Sequence, residues 1–255
     1  MRHAEEVAGR RYWLVGASSG IGAALAHELV RRGALVAVSA RREDSLKEVA
    51  GDDMAVVPVD ATDRDAVARA ADEVRVALGG IDVVVWCAGH WQQFDAAEWD
   101  ADVFARHVEV NLLGFNNLLA AVIPPMVRSG SGHVVGIASV AGYRGLAGAE
   151  AYGATKAAQI NLLEGLRAAL GRHGVRVTTV CPGFVRTEMT EDNEFPMPFI
   201  IDADEAARAV ADGLERRRTE IVFPLPMAAT MKLARLVPVG LWGGLTSRMG
   251  NPAER

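Results

Sequence analysis

The chain has 255 residues, a length for one large domain or two small ones. Half of its residues are apolar and 23% are charged, the balance of an ordinary globular protein rather than a disordered one. Acids outnumber bases by 32 to 27, so the formal charge is −5, and no basic field exists to hold a nucleic-acid backbone.

At the N-terminus, MRHAEEVAGRRYW carries charges without an apolar core and does not read as a signal peptide. Short apolar runs, rich in Val and Ile, then predict strands over 12–16, 35–39, 55–59, 81–87, 132–138, 175–181 and 220–223. Between them, periodic stretches predict helices over 21–32, 43–49, 64–78, 102–128, 151–172 and 203–217. In the first helix Ile21, Leu25 and Leu29 make one stripe, and Gly33 ends it. Asp63 and Asp202 stand where N-caps are wanted. Repeated β-α-β units with short loops predict an α/β fold: a doubly wound parallel sheet of about seven strands with helices on both faces. No linker or repeat divides the chain, so one domain is expected over 1–255, with a core over 12–223 and an apolar extension over 224–255.

The stretch 221–247 alone raises a membrane question. Lys232, Arg235 and three prolines (Pro224, Pro226, Pro238) break it, and a spanning helix needs ~20 continuous apolar residues, so none is predicted. A lid over an apolar pocket, a dimer contact, or peripheral membrane contact through 224–249 with Lys232, Arg235 and Arg248 at the headgroups are the open readings. Cys87 and Cys181 lie in apolar runs without metal or disulfide spacing, so no metal is expected. They fit a reducing, cytoplasmic location, with membrane association as the variant.

After the first strand, Gly16-Ala-Ser18-Ser19-Gly20-Ile21-Gly22 opens directly into a helix. Glycines there let the backbone turn tightly and approach a ligand, while the helix N-terminus offers free N–H groups to a pyrophosphate. The same residues also fit a plain βα turn, or the G-x-S-x-G elbow of serine hydrolases with Ser18 as nucleophile. That elbow needs earlier strands, and only 11 residues precede Tyr12. Dinucleotide folds place an acid after the second strand to hold ribose hydroxyls. Here Arg41 and Arg42 follow Ala40, and guanidinium groups suit a 2′-phosphate, so NADP(H) is favoured over NAD. Solvated helix-start charges are the plainer account of both arginines. Asp60 would accept from an adenine amino group or cap a turn.

Ser139 ends the fifth strand; Tyr152 follows 13 residues later and Lys156 one helical turn after that. An ammonium beside a phenol stabilises the phenolate, which would let Tyr152 trade a proton with an alcohol or carbonyl while Ser139 holds the substrate oxygen. Separately, Tyr-x-x-x-Lys is an ordinary surface pair and Ser an ordinary turn former.

Together these residues resemble the short-chain dehydrogenase/reductase family over about 12–223. GASSGIG at 16–22, Asp60, CAG at 87–89, Asn111, Ser139, YGATK at 152–156 and PGFVRT at 182–187 carry the resemblance. It implies a Rossmann-type sheet, NAD(P)-dependent oxidoreduction, and Asn111, Ser139, Tyr152 and Lys156 as catalytic residues. By resemblance Asn111 binds a water in a proton relay behind Lys156, which also holds the nicotinamide ribose. Val185 and Thr187 would touch the nicotinamide carboxamide, Thr187 also the nearby phosphate, and Ala88 and Gly89 the adenine ribose. The cofactor surface is thus expected to comprise Gly16, Ser18, Ser19, Gly20, Ile21, Gly22, Arg41, Arg42, Asp60, Ala61, Cys87, Ala88, Gly89, Tyr152, Lys156, Pro182, Gly183, Val185 and Thr187. The family often pairs the helices bearing Asn111 and Tyr152, so a homodimer or homotetramer is implied. The chain departs from the family in having Val15 for Thr and Cys87 for Asn, which predicts a softer cofactor platform.

The loop 188–200 interleaves Met189, Phe195, Met197 and Phe199 with Glu188, Glu191, Asp192 and Glu194. Its apolar half suits a hydrophobic carbonyl or alcohol substrate, or simply packs down as a lid. His90, Trp91 and Phe94 are further candidates for the substrate wall, beside Ser139, Tyr152 and Met189. A second reading keeps the fold as a non-catalytic NADP(H)-binding regulator; degraded site residues would favour it, and these are intact.

Overall fold

The computed structural model describes residues 7–193 and 195–246. The expectations for 1–6, Glu194 and 247–249, Arg248 included, fall outside the described residues. Seven parallel strands form the main sheet: β1 (Arg11–Val15), β2 (Leu35–Ser39), β3 (Ala55–Val56), β4 (Val83–Trp86), β5 (Gly132–Ile137), β6 (Val175–Pro182) and β9 (Glu220–Phe223). Their order is β3-β2-β1-β4-β5-β6-β9. The chain winds outward from β1 to β3, then returns to place β4 beside β1. That reversal opens a crevice at the carboxyl ends of β1 and β4, where open α/β sheets bind ligands.

Alternate residues of each strand enter different cores. Tyr12, Leu14, Val36, Val38, Val83 and Val85 pack with α1 (Gly20–Arg31), α2 (Glu43–Ala50) and α8 (Ala203–Glu215). Trp13, Ala37, Val84 and Trp86 pack with α3 (Arg64–Leu78), α5 (Gly114–Ser129) and α6 (Glu150–Leu170). A strand covered on both faces by helices has no wet side, hence the nearly unbroken apolar runs. Buried polar side chains in the sheet are paired: Ser39 accepts from Trp13 Nε1 (2.8 Å) and donates to the Val57 carbonyl (2.6 Å), tying β1, β2 and the segment after β3.

Several boundaries differ from the sequence reading for local reasons. Regular pairing at β3 stops after Val56, although Val57 and Val59 still donate to the Val38 and Ala40 carbonyls; Pro58 between them sits where an N–H would face away from β2, as an edge strand allows. The expected helix 102–128 is α4 (Ala101–Val108), a π-helical turn Glu109–Leu113, and α5. By length and composition 101–129 is apolar enough to cross a membrane, yet Phe115, Leu118, Val122 and Met126 lie in the core under the sheet. Asp63 caps α3 by accepting from Ala66 N (2.9 Å). Asp202 stands at the N-cap of α8 without a cap bond, because Arg186 Nε donates to it instead (2.9 Å). That pair joins β7 (Val185–Arg186) to β8 (Ile201–Asp202), a small second sheet.

Three further α-helices are described, α7 (Glu188–Glu191), α9 (Leu225–Ala234) and α10 (Val239–Thr246), besides short 3-10 turns at Ala96–Glu98, Val140–Gly142 and Gly171–His173. α9 buries Met227, Ala228, Met231 and Ala234 against the body. Trp242 Nε1 donates to the Gly145 carbonyl (2.6 Å) and Arg144 to the Val237 carbonyl (2.8 Å). The described part of the extension therefore folds back onto the chain, with Leu225, Leu233, Leu236, Val239 and Leu241 left facing outward.

Candidate active site

The crevice holds about 560 Å³ and lies along the carboxyl ends of the central strands. Its floor is the turn from β1 to α1. Gly16 has φ +90°, and a Cβ there would overlap the backbone of Ala88; a Cβ on Gly22 would overlap the Gly16 carbonyl. Ser19 occupies the N-cap of α1 with extended backbone but makes no side-chain cap bond, so the first-turn N–H groups are not claimed by it. A close-approach glycine turn feeding an uncapped helix N-terminus is a cradle that fits a pyrophosphate.

Every expected cofactor residue lines this crevice, from Gly16 through Gly22, across Arg41, Arg42, Asp60, Ala61 and Cys87–Gly89, to Pro182, Gly183, Val185 and Thr187. Arg42 Nη2 pairs with Glu188 (2.9 Å) and lies 3.4 Å from Ser18 Oγ and 3.5 Å from Ser19 Oγ, bridging the glycine turn to α7. Asp60 uses one carboxylate oxygen to accept from Thr62 N and Oγ1 (2.9 and 2.8 Å), which serves its turn and leaves the other oxygen for a ligand. Despite the missing side-chain braces at Val15 and Cys87, the backbone joins them: Cys87 N donates to Val15 O at 2.7 Å.

Ser139, at the end of β5, is buried and accepts from Ala141 N (3.1 Å). Its hydroxyl lies 3.5 Å from the Pro182 carbonyl, to which it donates, and its influence on the Tyr152 phenol favours the phenolate. Lys156 is 3% exposed; its Nζ sits 5.5 Å from the Tyr152 ring centre and donates to the Ile137 carbonyl (2.9 Å) and Gln159 Oε1 (3.1 Å). Burial pushes the Tyr152 phenol up to about 12, with the Ser139 hydroxyl pulling the other way, and pulls Lys156 down to about 8. The expectation of a phenol already made acidic by its lysine is thus corrected for the free protein. Burial, the largest cause at each group, disfavours the charged form of both.

Asn111 is the one expected catalytic residue that does not line the crevice. It lies fully buried in the π-helical turn, accepting from His90 N (2.7 Å) and donating to His90 O (3.1 Å) and Thr155 Oγ1 (3.0 Å). Its backbone carbonyl accepts from Gln159 Nε2 (2.6 Å).

On the substrate side, Trp91 packs edge-on against Tyr152 (5.3 Å) and Phe195 (6.4 Å), and donates to Asn193 Oδ1 (3.0 Å). Phe184 adds a second contact to Phe195. His90, Trp91 and Met189 line the crevice; Phe94 does not, and packs edge-on against Trp99 instead. Residues that the sequence reading missed include Arg106, Val110, Glu188 and Thr190 in the lining, and Thr155 and Gln159 behind it. Helical phase was the available signal for Gln159, three residues after Lys156 on one face.

Comparison with known proteins agrees with this geometry. The family model for short chain dehydrogenase matches residues 12–196. A protein of Myxococcus xanthus (strain DK1622), described as an uncharacterized oxidoreductase, is 36% identical over 250 residues, 96% of this chain and 99% of its own. A short chain dehydrogenase from Burkholderia cenocepacia J2315, solved in complex with NADP, superposes with a TM-score of 0.83 at 29% identity, over 97% of this chain and 100% of that one. A short chain dehydrogenase/reductase from Burkholderia phymatum, solved with NAD, shares the fold: TM-score 0.83, 24% identity, 91% and 95% of the two chains. With its sheet, glycine cradle and Ser–Tyr–Lys cluster in place, the chain belongs to the short chain dehydrogenase family and is an NAD(P)-dependent oxidoreductase of that type.

Proposed function

We propose that the protein interconverts a carbonyl and a secondary alcohol on an apolar substrate, using NADP(H), with Tyr152 as general acid and base. The observation that carries this reading is the meeting of Ser139, Tyr152 and Lys156 at the open end of β5, beside the glycine cradle. Gly16–Gly22 and the start of α1 would hold the pyrophosphate, Arg41 and Arg42 the 2′-phosphate, and Lys156, Val185 and Thr187 the nicotinamide end. A bound nicotinamide supplies or accepts the hydride at the substrate carbon.

The proton chemistry belongs to the chain. In the reducing direction the Tyr152 hydroxyl gives its proton to the substrate oxygen, and in the oxidising direction the phenolate takes one from the alcohol. Ser139 donates to the same oxygen and fixes its place. Lys156, charged below pH 8 or so, favours the phenolate left after transfer. Trp91, Phe184 and Phe195 give the substrate side an apolar wall, and Met189 adapts to its shape. A homo-oligomer pairing α4–α5 and α6, and a cytoplasmic site of action, belong to the same reading.

The test is NADPH oxidation followed against a panel of ketones. Turnover is expected with apolar ketones, and faster with NADPH than NADH. Tight NADPH binding without turnover on any ketone would instead favour a non-catalytic nucleotide-binding protein.

A further inference from the structure

Behind the reacting groups lies a buried polar chain that the proposed reaction has not yet used. Gln159 is 1% exposed, Lys156 3% and Asn111 0%. Both ends of the Gln159 carboxamide are taken: Oε1 accepts from Lys156 Nζ (3.1 Å), and Nε2 donates to the Asn111 backbone carbonyl (2.6 Å). The partners fix the orientation of the amide, since an ammonium has only donors and a carbonyl only accepts. Asn111 in turn is pinned by His90 and Thr155. Two of the three donors of Lys156 are therefore held by Ile137 O and Gln159, and one remains for the crevice.

We propose that Gln159 is a positioning residue for the reaction: its carboxamide spans Lys156 and the Asn111 carbonyl and so holds the ammonium beside Tyr152. This rests on the oxidoreductase reading above and goes beyond it in assigning a role to a residue that touches neither substrate nor cofactor.

The choice of a neutral amide has a consequence. The titratable groups around Lys156 are Cys87 after β4, Cys181 on β6 and Tyr152 one turn earlier on α6. Burial moves both thiols and the phenol up to about 12, so at neutral pH none of them offers a counter-charge. Gln159 stabilises the ammonium with a dipole alone, which leaves it free to lose its proton near pH 8. A carboxylate at the same place would lock the charge on; an apolar side chain would remove the acceptor and favour the neutral amine.

These opposite signs make the test. The chain has three lysines, Lys47, Lys156 and Lys232, so 13Cε-lysine labelling gives three resolvable titrations by NMR. Lys47 and Lys232 are exposed ion pairs and serve as internal references. In Gln159→Glu the Lys156 midpoint should rise by about one pH unit or more, a tenfold change in its protonation equilibrium, and in Gln159→Leu it should fall. The basic limb of kcat/KM for NADPH-dependent ketone reduction should move with the midpoint in each variant, while the KM for NADPH stays within about twofold. General damage to the fold cannot move one midpoint up and down in two variants.

Should the glutamate variant fail to fold, a downward shift in the leucine variant supports the proposal and an unchanged midpoint overturns it. A Lys156 midpoint that stays fixed in both variants, or a midpoint that moves while the kinetic limb does not, also overturns it. If the parent protein turns over no ketone, the oxidoreductase reading fails, while the lysine titrations still decide whether Gln159 holds Lys156.

Discussion

Arg41 and Arg42 stand side by side after β2, yet they differ in what they already hold. Arg42 spans the crevice to Glu188 on α7, both partners more than half exposed, so that pair is weak and easily exchanged for a stronger anion. Arg41 has room to take a phosphate through paired N–H groups. A charge-assisted bond of this kind is worth about 1.5–3 kcal/mol, so Arg41→Ala should weaken NADPH binding roughly 10- to 100-fold. NADH binding should be unchanged, as read by nicotinamide fluorescence titration; equal losses for both nucleotides would remove the 2′-phosphate role. Spacing made Ser139, Tyr152 and Lys156 legible, because a strand end and one helical turn fix where three side chains meet. It could not show the direction of their pKa shifts, which burial by distant segments decides. Nor could it show Asn111 turning away from the crevice, since the π-helical turn that carries it breaks the 3.6-residue phase.

Between elements, the contact of α1 with α8 is closed by charge as well as by Leu25, Leu29 and Val210. Glu28, 9% exposed, accepts from Arg31 (2.7 and 2.8 Å) and from Arg32 (2.7 Å), and Arg32 continues to Asp212 (2.7 Å) and Glu215 (3.0 Å) on α8. The bond from Arg31 first, and then Arg32, hold the Glu28 carboxyl at about 2, against desolvation that opposes them. A carboxyl depressed in the folded state stabilises it above the ordinary carboxylate range, and loses that contribution as pH falls toward 2. Glu28→Gln should therefore cost on the order of 2–3 kcal/mol in urea unfolding at pH 7, with the gap to the parent narrowing from pH 5 downward. A gap that stays constant with pH would mean packing, not charge, sets the cost. Among elements, long periodic helices and the doubly buried strands were readable because apolar spacing alone specifies them. Short pieces such as β7, β8 and α7 were not. They form only where the chain returns over the crevice, and two- to four-residue elements carry no period to read.

At the scale of the molecule, the extension after β9 packs against the segment that follows Ser139. The three readings left open for it narrow on one side: the inner face of α9 is buried, and Trp242 and Arg144 clasp α10 to the loop after Ser139. The outer face carries exposed Leu233, Leu236 and Leu241, a surface suited to a second copy or a lipid boundary. Trp242→Ala should loosen the clasp, raising the KM for an apolar ketone severalfold while leaving the NADPH dissociation constant unchanged, as measured by paired kinetics and binding titration. If both constants move together, the extension supports the whole crevice rather than its substrate end. Composition marked this segment as unusual, but which face is inward depends on Gly145 and Gly183, nearly a hundred and about forty residues earlier in the chain.

The most direct measurement is the turnover of Tyr152→Phe, in which the ring and its packing against Trp91 remain and only the hydroxyl is gone. Removal of a general acid and base at the reacting oxygen should lower kcat for ketone reduction by about 10²–10⁴-fold, with NADPH still bound as in the parent. A kcat within about twofold of the parent would show that the proton reaches the substrate from elsewhere, and that the phenol beside Lys156 does not perform the reaction.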